Sequence, residues 1–156
     1  MCAVTVLEKK NGITYRNVDE NDVPMIFQKI KDLAEYEGKT KEVISTEEDI
    51  HYILFVKKIG YAVVAEGEAG LVGLLLYYDI FSTFKGKAGI YIEDLIVDRN
   101  HRHMGIGKTL LELAFRIAGN GYVEWMCLRH NVSAQEFYKK MGSEYIDEWV
   151  LFRKDL

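Results

Sequence analysis

Arg102-His103-Met104-Gly105-Ile106-Gly107-Lys108-Thr109 lies between a long apolar run, Gly89 to Val97, and a helical periodicity, Leu110, Leu111, Ala114, Ile117 and Ala118. A glycine loop that follows a strand and opens a helix collects open backbone N–H groups at the positive end of the helix dipole. Glycine lets that backbone approach a ligand closely. Arg99, Arg102 and Lys108 add three positive charges within ten residues, and no acid stands from Arg99 to Lys108. The segment therefore suits a phosphate. A P-loop would need glycine where Arg102 stands, and a dinucleotide fingerprint would need glycine where Leu110 stands. An ordinary helix start with surface charge is the plainer alternative.

Outward from the loop, the chain alternates strand and helix signals. Ile13 to Val18 reads as a strand. Pro24 sits where a first helical turn tolerates it, and Ile26, Ile30, Leu33 and Ala34 keep helical spacing. Ser45 and Glu48 form a capping-box pair for a second helix running to about Val56. Tyr61 to Glu66 and Leu71 to Tyr78 read as strands joined through Gly67 and Gly70, and Tyr122 to Leu128 as another. Asn131 to Met141 reads as a helix with a second capping box, Ser133 and Glu136, ended by Gly142. Glu144 to Arg153 closes as a strand. The order β-α-α-β-β-β-α-β-α-β predicts one α/β domain over residues 1–156, a mixed sheet with helices on both faces.

Composition narrows the function classes. The 156 residues are 49% hydrophobic and 28% charged, with one proline and a net charge of −4. That excludes a disordered polymer and argues against a nucleic-acid-coating protein. No apolar run reaches a bilayer-spanning length, and Met1 to Lys10 lacks signal-peptide order, so a cytoplasmic protein with no membrane partner is expected. Cys2 and Cys127 are too few for a disulfide framework, and the four histidines show no metal spacing.

Ile90-Tyr91-Ile92-Glu93-Asp94-Leu95-Ile96-Val97 places adjacent acids at the centre of an apolar strand. Burying carboxylates there is costly without partners. Neighbours on a regular strand face opposite sides, so Glu93 and Asp94 should do different jobs unless a bulge intervenes. From Glu35 to Asp49, six acids against two lysines give a local charge of −4, which suits a cation. A solvated surface explains Glu42, Glu47 and Glu48 equally well.

Arg102-x-x-Gly105-x-Gly107 resembles the acetyl-CoA motif of the GNAT acetyltransferase superfamily. Asn131 with Phe137-Tyr138 and Gly142 resembles its later motif. The resemblance extends to the spermidine/spermine (diamine) acetyltransferases and their thialysine-acetylating relatives, through Leu33-Ala34-Glu35-Tyr36-Glu37, Tyr91 to Asp94 and Trp149 with Leu151-Phe152. It implies a mostly antiparallel GNAT fold and direct acetyl transfer from acetyl-CoA to a small primary amine, without a metal. It implies that Glu93 binds the amine and relays its proton, and that Tyr138 protonates the departing thiolate. Leu95, Ile96, Val97, Arg102, His103, Met104, Gly105, Ile106, Gly107, Lys108, Asn131 and Ala134 would contact acetyl-CoA. Tyr36, Glu37, Glu93, Asp94, Met126 and Asp147 would line the amine site of an intertwined homodimer. His103 stands where the family often has glycine, and the region from Trp125 to Arg129 is a few residues shorter than in the polyamine enzymes. A protein lysine or N-terminal acetyltransferase, a non-catalytic acyl-CoA sensor and a covalent route through Cys127 are the competing readings.

Overall fold

A computed structural model describes residues 4–156; Cys2 lies outside the described residues. The chain divides into two compact units, one ending at Met126 and one from Cys127 to Leu156. The first holds a six-stranded sheet in sequence order, β1 (Val6–Lys10), β2 (Ile13–Asn17), β3 (Tyr61–Gly67), β4 (Gly70–Ser82), β5 (Lys87–Val97) and β6 (Val123–Trp125). All neighbours are antiparallel except β5 and β6, which run parallel.

Helices α1 (Val23–Tyr36) and α2 (Glu47–His51) lie on one face, and α2 runs on into a π-helical turn, Tyr52–Val56. Ile26, Ile50 and Leu54 pack there against Ala62, Val64, Leu74, Leu76 and Ile96. Helix α3 (Ile106–Ala118) covers the other face, contacting β3, β4 and β5. Gly73 permits its close approach: a Cβ there would stand 3.2 Å from Ile106 Cγ2 and Leu110 Cδ1. Arg16, itself buried, ties β2 to the turn before α1 and to β3 through a bidentate pair with Asp22 at 2.8 and 2.9 Å and a 2.8 Å contact to Glu66. The second unit contains α4 (Val132–Lys140).

The mixed sheet with helices on both faces is the architecture expected, with five differences in detail. An N-terminal strand, β1, joins β2 through a turn in which Asn11 and Gly12 both take positive φ, 50° and 77°, the geometry that matches hairpin twist. The cap of α2 is Thr46 with Asp49, not Ser45 with Glu48: Thr46 is the last extended residue, and the cap forms where helical backbone begins. Helix α4 is capped by Asn131, whose Oδ1 accepts from Ala134 N at 3.2 Å, so Ser133 falls inside the helix and makes no capping box. The expected strand over Tyr122 to Leu128 shrinks to Val123–Trp125, and Glu144 to Arg153 is neither strand nor helix. That last segment has strand composition, but a strand also needs a neighbouring edge, and composition does not supply one.

Candidate active site

Strand β5 organises the site. On its β4 side Tyr77 pairs with Ile92, and the next residue, Leu76, pairs with Asp94. Glu93 is the extra residue of a β-bulge. The bulge breaks the alternation, and both acids line one cleft of about 790 Å³. The expectation that they face opposite sides is thereby corrected through the bulge. Ile30, Ile50, Ile53, Leu54 and Leu76 give the cleft apolar walls; Ser45, Lys58, Tyr61, Tyr78 and Asp79 add polar groups.

The two acids differ in environment. Glu93 is exposed and Asp94 half-buried. Burial first, then the charges of Glu93 and Glu37, push the Asp94 carboxyl up to about 7. Tyr78 and Tyr91 stack at 5.1 Å between ring centroids. Burial raises both phenols, that of Tyr91 to about 12, with Tyr78, Glu93 and Glu124 adding to it. The sequence gives neither ring a site role, though Tyr91 stands in the stretch that carries the resemblance; their cross-strand pairing, Tyr78 to Tyr91, is what brings them to Glu93.

On its other edge β5 pairs with β6 only from Ile90 to Ile92. Beyond Ile92 no strand pairs with that edge among the described residues, so the backbone from Leu95 to Val97 has no ladder partner on that side. Then come a 3-10 turn, Arg99–His101, and the glycine loop. Gly105 takes φ 81°, which glycine adopts without strain, and no atom lies within 4 Å of where its Cβ would be. No side chain caps α3, so the first N–H groups of the helix, from Ile106 to Lys108, have no acceptor within the helix or from a capping side chain. Met104, Gly105, Ile106 and Lys108 border a hollow of about 60 Å³ together with Lys10 of the hairpin. Open N–H groups, clear space over glycine and nearby cations fit a pyrophosphate.

Within the loop the side chains divide. His103 and Met104 are exposed, with His103 at φ 64°. The Ile106 side chain is buried in the core, so only its backbone can serve a ligand. Lys108 stands 3.8 Å from Glu112 on the surface. Arg102 donates from Nε to the Val97 carbonyl at 3.2 Å, and its guanidinium lies 4.6 Å from the Tyr36 ring centroid. The cation on this face of Tyr36 is therefore the protein's own. A second charge contact also joins α1 to the loop segment: buried Lys29 meets Asp98 at 2.5 Å.

Of the expected amine-site residues, the structure gathers Glu93, Asp94 and Glu37. Within the acidic stretch Glu42 pairs with Lys39 at 2.9 Å and Asp49 caps α2, so much of that charge is used locally. Met126 ends the first unit, exposed and not among the cleft's lining residues. In the second unit Asn131 caps α4 through the Ala134 N–H. Tyr138 is half-buried with its ring 5.4 Å from that of Phe137, and Asp147 is exposed on an irregular segment. Cys127, half-buried, lies 3.7 and 3.9 Å from the Leu128 and Asn131 carbonyls. No helix is long and apolar enough to cross a membrane, and no group of three or more metal-binding side chains converges, among the described residues.

The acetyltransferase (GNAT) family profile matches residues 25–143. A thialysine N-epsilon-acetyltransferase of Bos taurus is 32% identical over 156 residues, a match covering 90% of this chain and 91% of that protein. An L-ornithine N5-acetyltransferase of Arabidopsis thaliana is 37% identical over 86 residues, covering 53% of this chain and 38% of that protein. An aminoglycoside acetyltransferase from an uncultured soil metagenomic sample, solved in complex with sisomicin, superposes with a TM-score of 0.76 at 26% identity over 94% of this chain and 97% of that one.

Proposed function

The chain belongs to the GNAT acetyltransferase family, and on that premise we propose that it transfers an acetyl group from acetyl-CoA to a primary amine of a small di- or polyamine or of a thialysine-like amino acid. It is an amine N-acetyltransferase, and GNAT enzymes use acetyl-CoA as co-substrate. The observation that carries the acceptor assignment is the bulge at Glu93, which turns two adjacent acids into one apolar-walled cleft on the strand leading to the phosphate loop.

The co-substrate supplies an acyl group activated as a thioester. The loop N–H groups from Gly105 to Lys108 hold its pyrophosphate, with Lys10 and Lys108 nearby. Strand N–H groups along Leu95 to Val97 take the acetyl carbonyl and stabilise the negative charge that develops on its oxygen. An alkyl ammonium has a pKa near 10 and must lose a proton before it attacks. Glu93, exposed at the cleft, attracts the cation and accepts that proton directly or through water. Asp94 and Glu37 deepen the field that draws the cation in. Tyr138, whose phenol is an O–H donor, returns a proton to the departing thiolate.

The relatives' names support this reading, since thialysine and ornithine are small molecules with a primary amine. The reading includes a cytoplasmic homodimer. Support for the dimer comes from Trp149, Val150, Leu151 and Phe152, consecutive apolar residues left 67–89% exposed. Light scattering on the full chain checks the dimer.

Glu93→Gln tests the acceptor assignment. Thiol release from acetyl-CoA should drop by about 10²-fold in kcat/KM for the amine, most strongly near neutral pH. Equal activity at every pH would remove Glu93 from the mechanism.

A further inference from the structure

The acceptor cleft holds one cation of its own. Lys58 lines it together with Glu93 and Asp94. Lys58 is an exposed residue, and among the described residues it makes no ion pair, with these acids or with any other, so water is its partner until a ligand arrives. A cation left unneutralised in a site built to receive a cation is a repulsive element unless the ligand brings an anion to meet it.

We propose that Lys58 makes the acceptor site selective for amines that also carry a carboxylate, so that amino acids are preferred over di- and polyamines. This rests on the acetyl-transfer reading and narrows it. The amine of such an acceptor lies against Glu93 and Asp94, and its carboxylate against the Lys58 ammonium. A diamine instead brings a second ammonium toward Lys58.

Two further observations support the assignment. The first is the backbone that presents Lys58. It takes φ 53°, a conformation that costs an L-residue energy and that glycine would adopt freely. It follows the π-helical turn Tyr52–Val56, a type of irregularity frequent at functional sites. Lys57 N donates to the Tyr52 carbonyl at 2.7 Å and Ile59 N to the Ile53 carbonyl at 3.2 Å, so the residue is fixed from both sides. A lysine held in a glycine-type conformation points to a use for its side chain. The second observation is charge. Glu93 and Asp79 against Lys58 leave the cleft at −1, and Asp94, with its carboxyl raised to about 7, adds a further half-charge near neutrality. That balance suits a basic amino acid, with net charge +1, no worse than a dication, and a polycation overshoots it.

The test uses the full chain with acetyl-CoA and matched acceptors: lysine with cadaverine, and ornithine with putrescine. Each pair differs by the carboxylate alone. Thiol release gives the ratio of kcat/KM within each pair for wild type, Lys58→Met and Lys58→Gly. Wild type should favour the amino acid in at least one pair, and both variants should lower that ratio about tenfold or more. General damage to the enzyme lowers both members of a pair alike, and Lys58→Gly relieves the backbone rather than straining it. Lysine methyl ester gives a second reading without any variant, and wild type should use it about tenfold less well than lysine. A wild type that prefers the decarboxylated member of both pairs, a ratio unmoved by both variants, or an ester as good as lysine would each overturn the inference while leaving acetyl transfer intact. No thiol release with any of these amines would overturn this inference, and none with spermidine or thialysine either would overturn the acetyl-transfer reading with it.

Discussion

The glycine loop and the acidic cleft adjoin the same strand, β5, yet they are built in opposite ways. The loop is a contiguous stretch whose working parts are backbone N–H groups, freed by a helix start and exposed by Gly105 at φ 81°. The cleft is assembled from Ile30 on α1, Ser45 before α2, Lys58 after the π turn, Tyr78 on β4 and Glu93 on β5, and its working parts are side chains. The loop thus offers generic recognition of a phosphate. The cleft offers recognition whose meaning depends on which side chains happen to converge. The first suits a co-substrate that a whole family shares, the second an acceptor that varies among its members.

An effect as large as that expected of Glu93→Gln belongs to neither region. Tyr138→Phe removes the assigned proton donor to the thiolate and should lower kcat by about 10²-fold with any amine. A kcat that does not change in steady-state assays takes Tyr138 out of the chemistry.

The join between the two regions comes next. Asp98→Asn leaves Lys29, only 4% exposed, with no anion nearer than Asp32 at 4.0 Å. Chemical denaturation should show a loss of about 2–3 kcal/mol. Lys29→Met should cost less, because the Asp98 carboxylate it strands is 28% exposed and is solvated. Equal costs would mean that the pair does not hold α1 to the loop segment through a buried charge.

Gly105→Ala probes the loop alone. A Cβ there meets nothing within 4 Å, so the penalty is conformational, about 1 kcal/mol for a left-handed L-residue. KM for acetyl-CoA should rise roughly fivefold, with the ranking of amines unchanged. A changed ranking would break the division between a generic loop and a selective cleft.

Asp94→Asn probes the cleft alone and has the smallest effect. Asp94 titrates near 7 because burial and the charges of Glu93 and Glu37 oppose its ionisation. Its charge therefore appears as pH rises through about 7, and KM for a cationic amine should fall across that window. The variant should flatten the profile, and the same step persisting in it would assign the titration elsewhere. For stability the sign is opposite. The folded state holds this proton more tightly than the unfolded chain, so this residue's contribution to the unfolding free energy declines from about pH 4 to about 7 and is level above.

How much of this was legible follows from the same contrast. Arg102 to Thr109 is readable because strand, glycines and helix start are adjacent in sequence. Its preceding apolar strand fixed the place of Glu93 and Asp94, but not their shared side. That depends on Tyr77 pairing with Ile92 while Leu76 pairs with Asp94, a register set across two strands. Lys58 and Tyr78 carry no local signal, since only packing brings them to the cleft. The hairpin through Asn11-Gly12 did carry one: Asn-Gly is a strong turn signal, and only the polar Glu8-Lys9-Lys10 beside it hid strand β1. The misplaced caps arose because Ser45-Thr46 and Asn131 to Ser133 each offer more than one capping residue, and the backbone chooses among them.

The central claim is that the loop and the cleft serve one reaction, acetyl transfer to a small amine. The most direct measurement is thiol release from acetyl-CoA by the purified chain against spermidine, spermine, diaminopropane, thialysine, lysine and basic peptides, with mass spectrometry of each acceptor. The account predicts release of one thiol for each acetyl group gained by at least one small amine, faster than with any of the peptides. Binding of acetyl-CoA with no thiol release on any acceptor would contradict it and leave the protein an acyl-CoA sensor.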